Sequence, residues 1–485
     1  MDVIYDLISL MDDADKKQFV LFLKSKNRRK DVKNIMLFSM FKNDDIEQQK
    51  NAEVFSNKGA YHALRKRLYA NLILFLSNKS FEKNNNETHE ALRQLVVSRF
   101  LLENGQHSPA FKCLDKAEHL ASFLEQYSLL HEILQTKLDY VHWNKREEVQ
   151  EISTRLIENQ EKLMKETRLS IVYASLKDAF IRTQQSGEII DLRARIKDLV
   201  SQYRLSDEDL LNYRSLYQML SLANEYANIR QNFSLIAPYI QTAVRLIKQR
   251  EVYVPHYLYY HIAVVYYLAN YCFRKRMFHE SMEYLQQMNV LMQDQNGKYA
   301  AVFRIRFQLL RCLNLHFTGH TPEAVGIVRE TEERLTKRTH TNEVADVYLC
   351  HAMLLAYQND RRALKKMGEL MHTDTWYEKQ LGMLWTIRKN LMEILLHAQF
   401  GNFEYALSRS RSFRRRYREY LGEVGEDRVW NYAELVEKYL LRPEIVKERS
   451  FVEKLRRMAE DDENQDVFSL EFLYWFRLPL AGKPE

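Results

Sequence analysis

Arginines crowd one stretch of this chain: Arg409, Arg411, Arg414, Arg415, Arg416 and Arg418 fall close together, interleaved with Phe413, Tyr417 and Tyr420. A guanidinium is always charged and presents a rigid fork of donors, so six of them could hold phosphates or an acidic protein segment. The same residues equally suit a solvated helix face that pairs with Glu423, Glu426, Glu434 and Glu437. A second basic group comprises Lys24, Lys26, Arg28, Arg29, Lys30 and Lys33, with Arg65, Lys66 and Arg67 further on. Residues 1–80 hold 15 Lys/Arg against 10 Asp/Glu, which is +5 of the formal net charge of +7. This layout suits either a DNA-reading module or a helical cap on the rest of the chain. The stretch from 41 to 60 is too long and polar for the short turn of a helix-turn-helix reader.

Catalytic groups do not occur in the spacings that chemistry needs. There is no G-x-G-x-x-G or G-x-x-x-x-G-K-[ST] to cradle phosphates, and no H-E-x-x-H or C-x-x-C to hold a metal. His316 and His320 have i, i+4 spacing, but Gly319 breaks the helix between them. No Ser or Cys sits in a nucleophile-elbow context. The pairs Asp12/Asp13, Asp44/Asp45 and Asp461/Asp462 suit helix caps and loops better than acid/base dyads. The expectation is a protein that is not an enzyme and uses neither cofactor nor metal.

The elements that must position these residues announce themselves by a recurrence. Small residues stand at Ser281, Ala324, Ala363 and Ala406, in steps of 43, 39 and 43, each followed by larger, mostly apolar residues four and seven positions on. A period of this size marks a stack of helical hairpins. In the last copy, Gly401 can take φ > 0 and end one helix, and Asn402 can cap the next. Ala406 then allows close approach, and Phe413 continues the apolar face. Gly319…Ala324 and Gly105…Ala110 repeat the arrangement, and Gly187…Leu192 is a looser copy. Pro109 and Pro322 fall just inside second helices, where a missing N–H costs little. Cys272, Cys312 and Cys350 follow the same period, at steps of 40 and 38. They read as core residues of successive first helices, not as a disulfide or metal set.

Composition agrees with helix throughout. Only 12 glycines and 7 prolines punctuate 485 residues. The 29 Tyr and 24 Phe read chiefly as filling between stacked helices. Met1–Leu10 lacks the basic and apolar regions of a signal peptide. The most apolar stretch, Tyr257–Phe273, contains His261 and Asn270 and suits a buried helix rather than a membrane span. The expected location is the cytoplasm, away from any membrane.

The pattern of small residue, then apolar at +4 and +7, resembles the tetratricopeptide (TPR) family. In the Ser281 copy, Leu268-Ala269 and Cys272 stand where that family has its Leu-Gly and Tyr. The period here is about 40 residues rather than the family's 34, and no copy carries the whole consensus. The resemblance implies an all-α fold, an α-solenoid of stacked antiparallel hairpins over residues 88–440. A helical module at 1–83 precedes it, with Phe19, Phe22 and Leu23 on one apolar face. A segment at 441–485 closes it, in which Phe468–Phe476 packs as a cap or docks a partner. The linker between module and repeats is Glu82–Thr88. First helices of such proteins line a concave surface, which implies a groove at Tyr266, Asn270, Arg274 and Arg306. The expected function is a scaffold that binds a peptide or partner protein, acidic in character. The alternative is a nucleic-acid-binding regulator that uses the two basic groups. Oligomeric state is not legible.

Overall fold

The computed structural model describes residues 3–9, 11–26, 32–42, 58–83, 87–144, 146–186, 192–205, 213–229, 233–249, 255–336, 339–423, 427–460 and 475–476. Among them the fold is all-α: 22 helices packed in neighbouring pairs, with no strand. The chain divides into two compact units, residues 1–160 and 161–485.

The first unit begins with α1 (Val3–Ser9), α2 (Asp13–Lys26), α3 (Val32–Lys42) and α4 (Lys58–Lys83). Asp12 caps α2, its Oδ1 accepting from the Asp15 N–H at 2.6 Å. Phe19 and Leu23 are buried as their spacing predicts, and Phe22 is half-buried. Phe19 meets Phe38 and Phe75 edge-on, at ring distances of 5.0 and 5.2 Å. These contacts tie three of the helices into one core. Then come α5 (Glu87–Glu103), α6 (His107–Phe123), α7 (Tyr127–Asp139) and the start of α8 (Val149–Ser186).

The second unit holds the rest of α8, then α9 (Leu192–Tyr203), α10 (Tyr213–Ile229), α11 (Ala237–Gln249), α12 (Leu258–Arg274), α13 (Phe278–Gly297), α14 (Ala300–Phe317) and α15 (Thr321–Glu333). It continues through α16 (Thr341–Tyr357), α17 (Arg362–Gly368), α18 (Asp374–Leu381), α19 (Met383–Gln399), α20 (Phe403–Glu423), α21 (Asp427–Leu441) and α22 (Arg449–Glu460). From α10 to α17 and from α18 to α21 each helix packs on its sequence neighbour, and α10, α12, α14, α16, α19 and α21 also touch one another in succession. These alternate helices form a continuous inner layer.

The recurrent small residues explain the pairing. Ser281, Ala324, Ala363 and Ala406 have no exposed surface, and neither does Ala110 in α6. Their +4 and +7 partners are buried too, from Leu285 and Met288 to Ser410 and Phe413. The Ser281 hydroxyl donates to the Ala269 carbonyl of α12 at 2.8 Å, so side chain and opposing backbone are in direct contact. A long side chain here would force the helices apart. Cys272 and Cys312 are likewise buried in inner helices, and Cys350 is partly so.

The turns depart from the expected glycine. At Gly105, Gly319 and Gly401, φ is positive, and the next N–H reaches back five residues to a carbonyl of the first helix. The same bonds recur where Glu125, Arg204, Arg276 and Asn359 hold the left-handed conformation. There the closing hydrogen bonds outweigh the steric cost of a Cβ, about 1–2 kcal/mol. The expected side-chain cap at Asn402 is not made either. Its amide meets His397 Nδ1 at 3.1 Å, while its carbonyl accepts from the Ala406 N–H. The Gly187 turn lies outside the described residues.

One repeat is built differently from the others. Helix α17 is only 7 residues long, and the 8-residue α18 is inserted before α19. Thr373 starts α18 by accepting from the Trp376 N–H. At the chain's other end, Phe476 is fully buried against Tyr432, Tyr439 and Phe451; residues 468–474 lie outside the described residues.

Arg276 is exposed at φ +64, so Arg276→Gly removes strain without losing packing and should stabilise the protein by about 1 kcal/mol in urea unfolding. Ala324→Leu should destabilise it by about 1–3 kcal/mol in the same assay. A neutral Ala324→Leu would contradict close packing at the small-residue positions.

Candidate functional site

The inner helices of the second unit enclose a concave cavity of about 720 Å³. Its floor is apolar, with Leu309 and Leu313 from α14, Leu349 and Met353 from α16, and Met392 and Leu395 from α19. Polar groups converge above it at a common register. Tyr266, Arg306, Asp346 and Trp385 lie on α12, α14, α16 and α19, in steps of 40, 40 and 39 residues. One repeat per step brings the same helical position to the cavity each time, which is why residues so far apart in sequence share it.

Four ionisable side chains dominate its electrostatics. Arg274, Arg306 and Arg388 stand against a single carboxylate, Asp346. Asp346 keeps an exposed surface toward the cavity, yet the protein packed around it desolvates the carboxyl enough to push it up to about 6. Trp385 opposes the shift, its indole N–H donating to Asp346 Oδ1 at 2.8 Å; Glu343 raises the value, and Arg306 and Arg388 lower it. Burial also raises the Tyr266 phenol, which therefore stays a neutral hydrogen-bond donor. His316 is buried and held down to about 4, with Nδ1 3.0 Å from Thr321 Oγ1. It is neutral near pH 7, and its neighbour is Thr321, not a metal-sharing His320. Among the described residues no cluster of three or more His, Cys, Asp or Glu has metal-binding geometry.

All four groove residues read from the sequence line this cavity, though their roles differ. Tyr266 and Asn270 are half-buried, and Asn270 donates to Asn224 Oδ1 at 2.8 Å. Arg306 is exposed on the wall. Arg274 is only 5% exposed and lies 4.3 Å over the Phe233 ring, so its guanidinium is engaged in packing. Asp346, Trp385 and Arg388 were missed. The signal for the first two was present, since one further repeat step from Arg306 reaches Asp346 and another reaches Trp385.

The arginine helix, α20, splits into two faces. Arg409 meets Asp374, Asn390 and Glu393, Arg416 makes a forked contact with Glu378, and Arg414 pairs with Glu437 beside the Trp430 ring. Of the glutamates proposed as partners, Glu437 alone takes an α20 arginine among the described contacts; Glu434 pairs with Lys438. The remaining carboxylates come from α18 and α19. Arg411, Arg415 and Arg418 are exposed. In the first unit, Lys24, Lys33, Lys66 and Arg67 are exposed, and Lys26 bonds Asn71 Oδ1 at 3.2 Å. Arg65 lies over the Phe41 and Tyr61 rings, while Arg28, Arg29 and Lys30 lie outside the described residues. No described helix is long and apolar enough to cross a membrane.

No protein-family model matches the chain, and no curated protein matches it.

The raised carboxyl of Asp346 carries a stability consequence. Its folded value, about 6, exceeds an ordinary aspartate's 3.8, so the folded state favours the protonated form. Its stabilising contribution is complete below about pH 4 and is lost as pH rises through 6. Asp346→Asn should therefore raise the melting temperature at pH 7.5 and change it little at pH 4. Equal effects at both values would contradict the assignment.

Proposed function

We propose that this chain is a TPR-like α-solenoid scaffold, cytoplasmic and non-enzymatic, that binds a peptide or a segment of a partner protein in the cavity of its inner helices. One observation carries the reading: residues at a common register of successive inner helices converge on a single apolar-floored cavity with a few polar groups. Its volume falls in the range of ligand sites, roughly 300–1,000 Å³. Apolar floor contacts would supply affinity, and the Tyr, Asn, Arg and Trp groups at the rim would orient the bound chain.

A second reading has its own support. Arg411, Arg415 and Arg418 are exposed at i, i+4 and i+7, so they share one face of α20 and suit a phosphate backbone. The pairing of Arg409, Arg414 and Arg416 reduces the surface available to it. Three phosphate contacts would weaken binding roughly 40-fold between 50 and 200 mM salt.

The two readings separate in an affinity purification from native lysate, with and without nuclease. The bait is the full chain, compared with Leu349→Trp, which fills the cavity. The scaffold reading expects a defined protein partner that survives nuclease and is lost with Leu349→Trp. Retained nucleic acid, or a partner indifferent to Leu349→Trp, would overturn it.

A further inference from the structure

If a peptide segment occupies the cavity, as proposed above, the charges already there constrain what it carries. The three arginines on the wall are not equivalent. Arg274 is committed to Phe233, whereas Arg306 projects into the open cavity and pairs with no carboxylate among the described residues. Its nearest candidate counter-ion is Asp346, one repeat along. That carboxylate, still exposed toward the cavity, instead accepts from the Trp385 indole at 2.8 Å, and partial desolvation raises it despite Arg306 and Arg388. Arg306 thus keeps its fork of donors open to solvent and to a ligand beside an apolar floor. A guanidinium so placed gains most from a carboxylate that arrives already attached to an apolar chain.

We infer that the bound segment carries an acidic side chain flanked by apolar residues, that its carboxylate pairs with Arg306, and that Asp346 is a built-in competing charge which weakens this pairing until it is neutralised. The register supplies the geometry. Arg306 sits between Tyr266, a neutral phenol that can donate a further hydrogen bond, and Asp346. Leu309 and Leu313 on the same helix, with Leu349 and Met353 opposite, take the flanking apolar side chains.

The competing charge makes binding pH-dependent. The groups acting on Asp346 are Glu343 on its own helix, Arg306 from α14, and Trp385 and Arg388 from α19; Cys350 stands a turn away and stays a neutral thiol. His316, the histidine in the lining, remains neutral above about pH 5. Between pH 7.5 and 5.5 Asp346 therefore loses most of its charge, while a peptide glutamate, with a pKa of about 4.3, keeps most of its own. Removing a like charge from beside the pair should tighten binding roughly 3- to 10-fold.

The test uses the full chain and three fluorescein-labelled octapeptide pools, randomised over Leu, Phe, Tyr and Asn around one fixed central Glu, Gln or Lys. Fluorescence anisotropy should show the Glu pool binding about tenfold more tightly than the Gln pool at pH 5.5, with the Lys pool weakest. Arg306→Gln should reduce the Glu pool to the Gln level, and Arg306→Lys should keep a preference for Glu, with circular dichroism verifying that both variants fold. Asp346→Asn should raise Glu-pool affinity at pH 7.5 and remove the gain on going to 5.5. Equal binding of the Glu and Gln pools, both lost in Leu349→Trp, would overturn the acidic anchor and leave the peptide cavity standing. Binding of no pool would overturn both.

Discussion

The separation between the two helices of each hairpin depends on a residue with almost no side chain. Ser281, Ala324 and Ala406 are fully buried, and at Ser281 side chain and opposing backbone meet, the hydroxyl donating to the Ala269 carbonyl. That approach leaves no room for water and aligns the apolar residues at +4 and +7 with the next pair. It holds only if the preceding helix stops at the right residue. The left-handed turn provides this, with its N–H reaching back five residues whether the residue is Gly319 or Arg276. Close approach and turn together fix the phase of every inner helix.

The cavity follows from that phase. Inner helices in constant register present one position repeatedly to the same side, so Tyr266, Arg306, Asp346 and Trp385 converge without local sequence proximity. Charge is handled differently around the inserted helix. Where α18 is inserted, it brings Asp374 and Glu378 to α20, and a network of Lys389, Glu393, Arg409, Arg416 and Tyr417 closes around them. Partly buried and mutually bonded, these charges specify how α18, α19 and α20 meet; breaking a pair would leave an uncompensated charge. The arginines that look most available in sequence are thus partly structural, and Arg306, outside both basic groups, faces the cavity.

Helical hairpins were legible because a small residue and its +4 and +7 partners recur within a single helix, whereas the groove at Tyr266, Asn270, Arg274 and Arg306 follows from the resemblance to the TPR family. Asp346 and Trp385 keep the inner-helix register, 40 and then 39 residues on from Arg306, but the residue type changes at each step, from Tyr to Arg to Asp to Trp, so spacing alone marks them. The turns at Arg276 and Asn359 carry no glycine to mark them, since backbone hydrogen bonds rather than residue type hold their conformation. The partners of α20 were unreadable for another reason. Asp374 and Glu378 lie more than thirty residues away, on a helix whose only local sign is a threonine cap.

The central claim is that the inner-helix cavity is the surface this protein uses. Hydroxyl-radical footprinting of the chain, alone and with its captured partner, tests it most directly. Tyr266, Tyr357, Trp385 and Met392 should lose reactivity in the complex, while the exposed Phe100 and Tyr405 should not change. Protection confined to the face of Arg411, Arg415 and Arg418, with the cavity residues still reactive, would contradict the account.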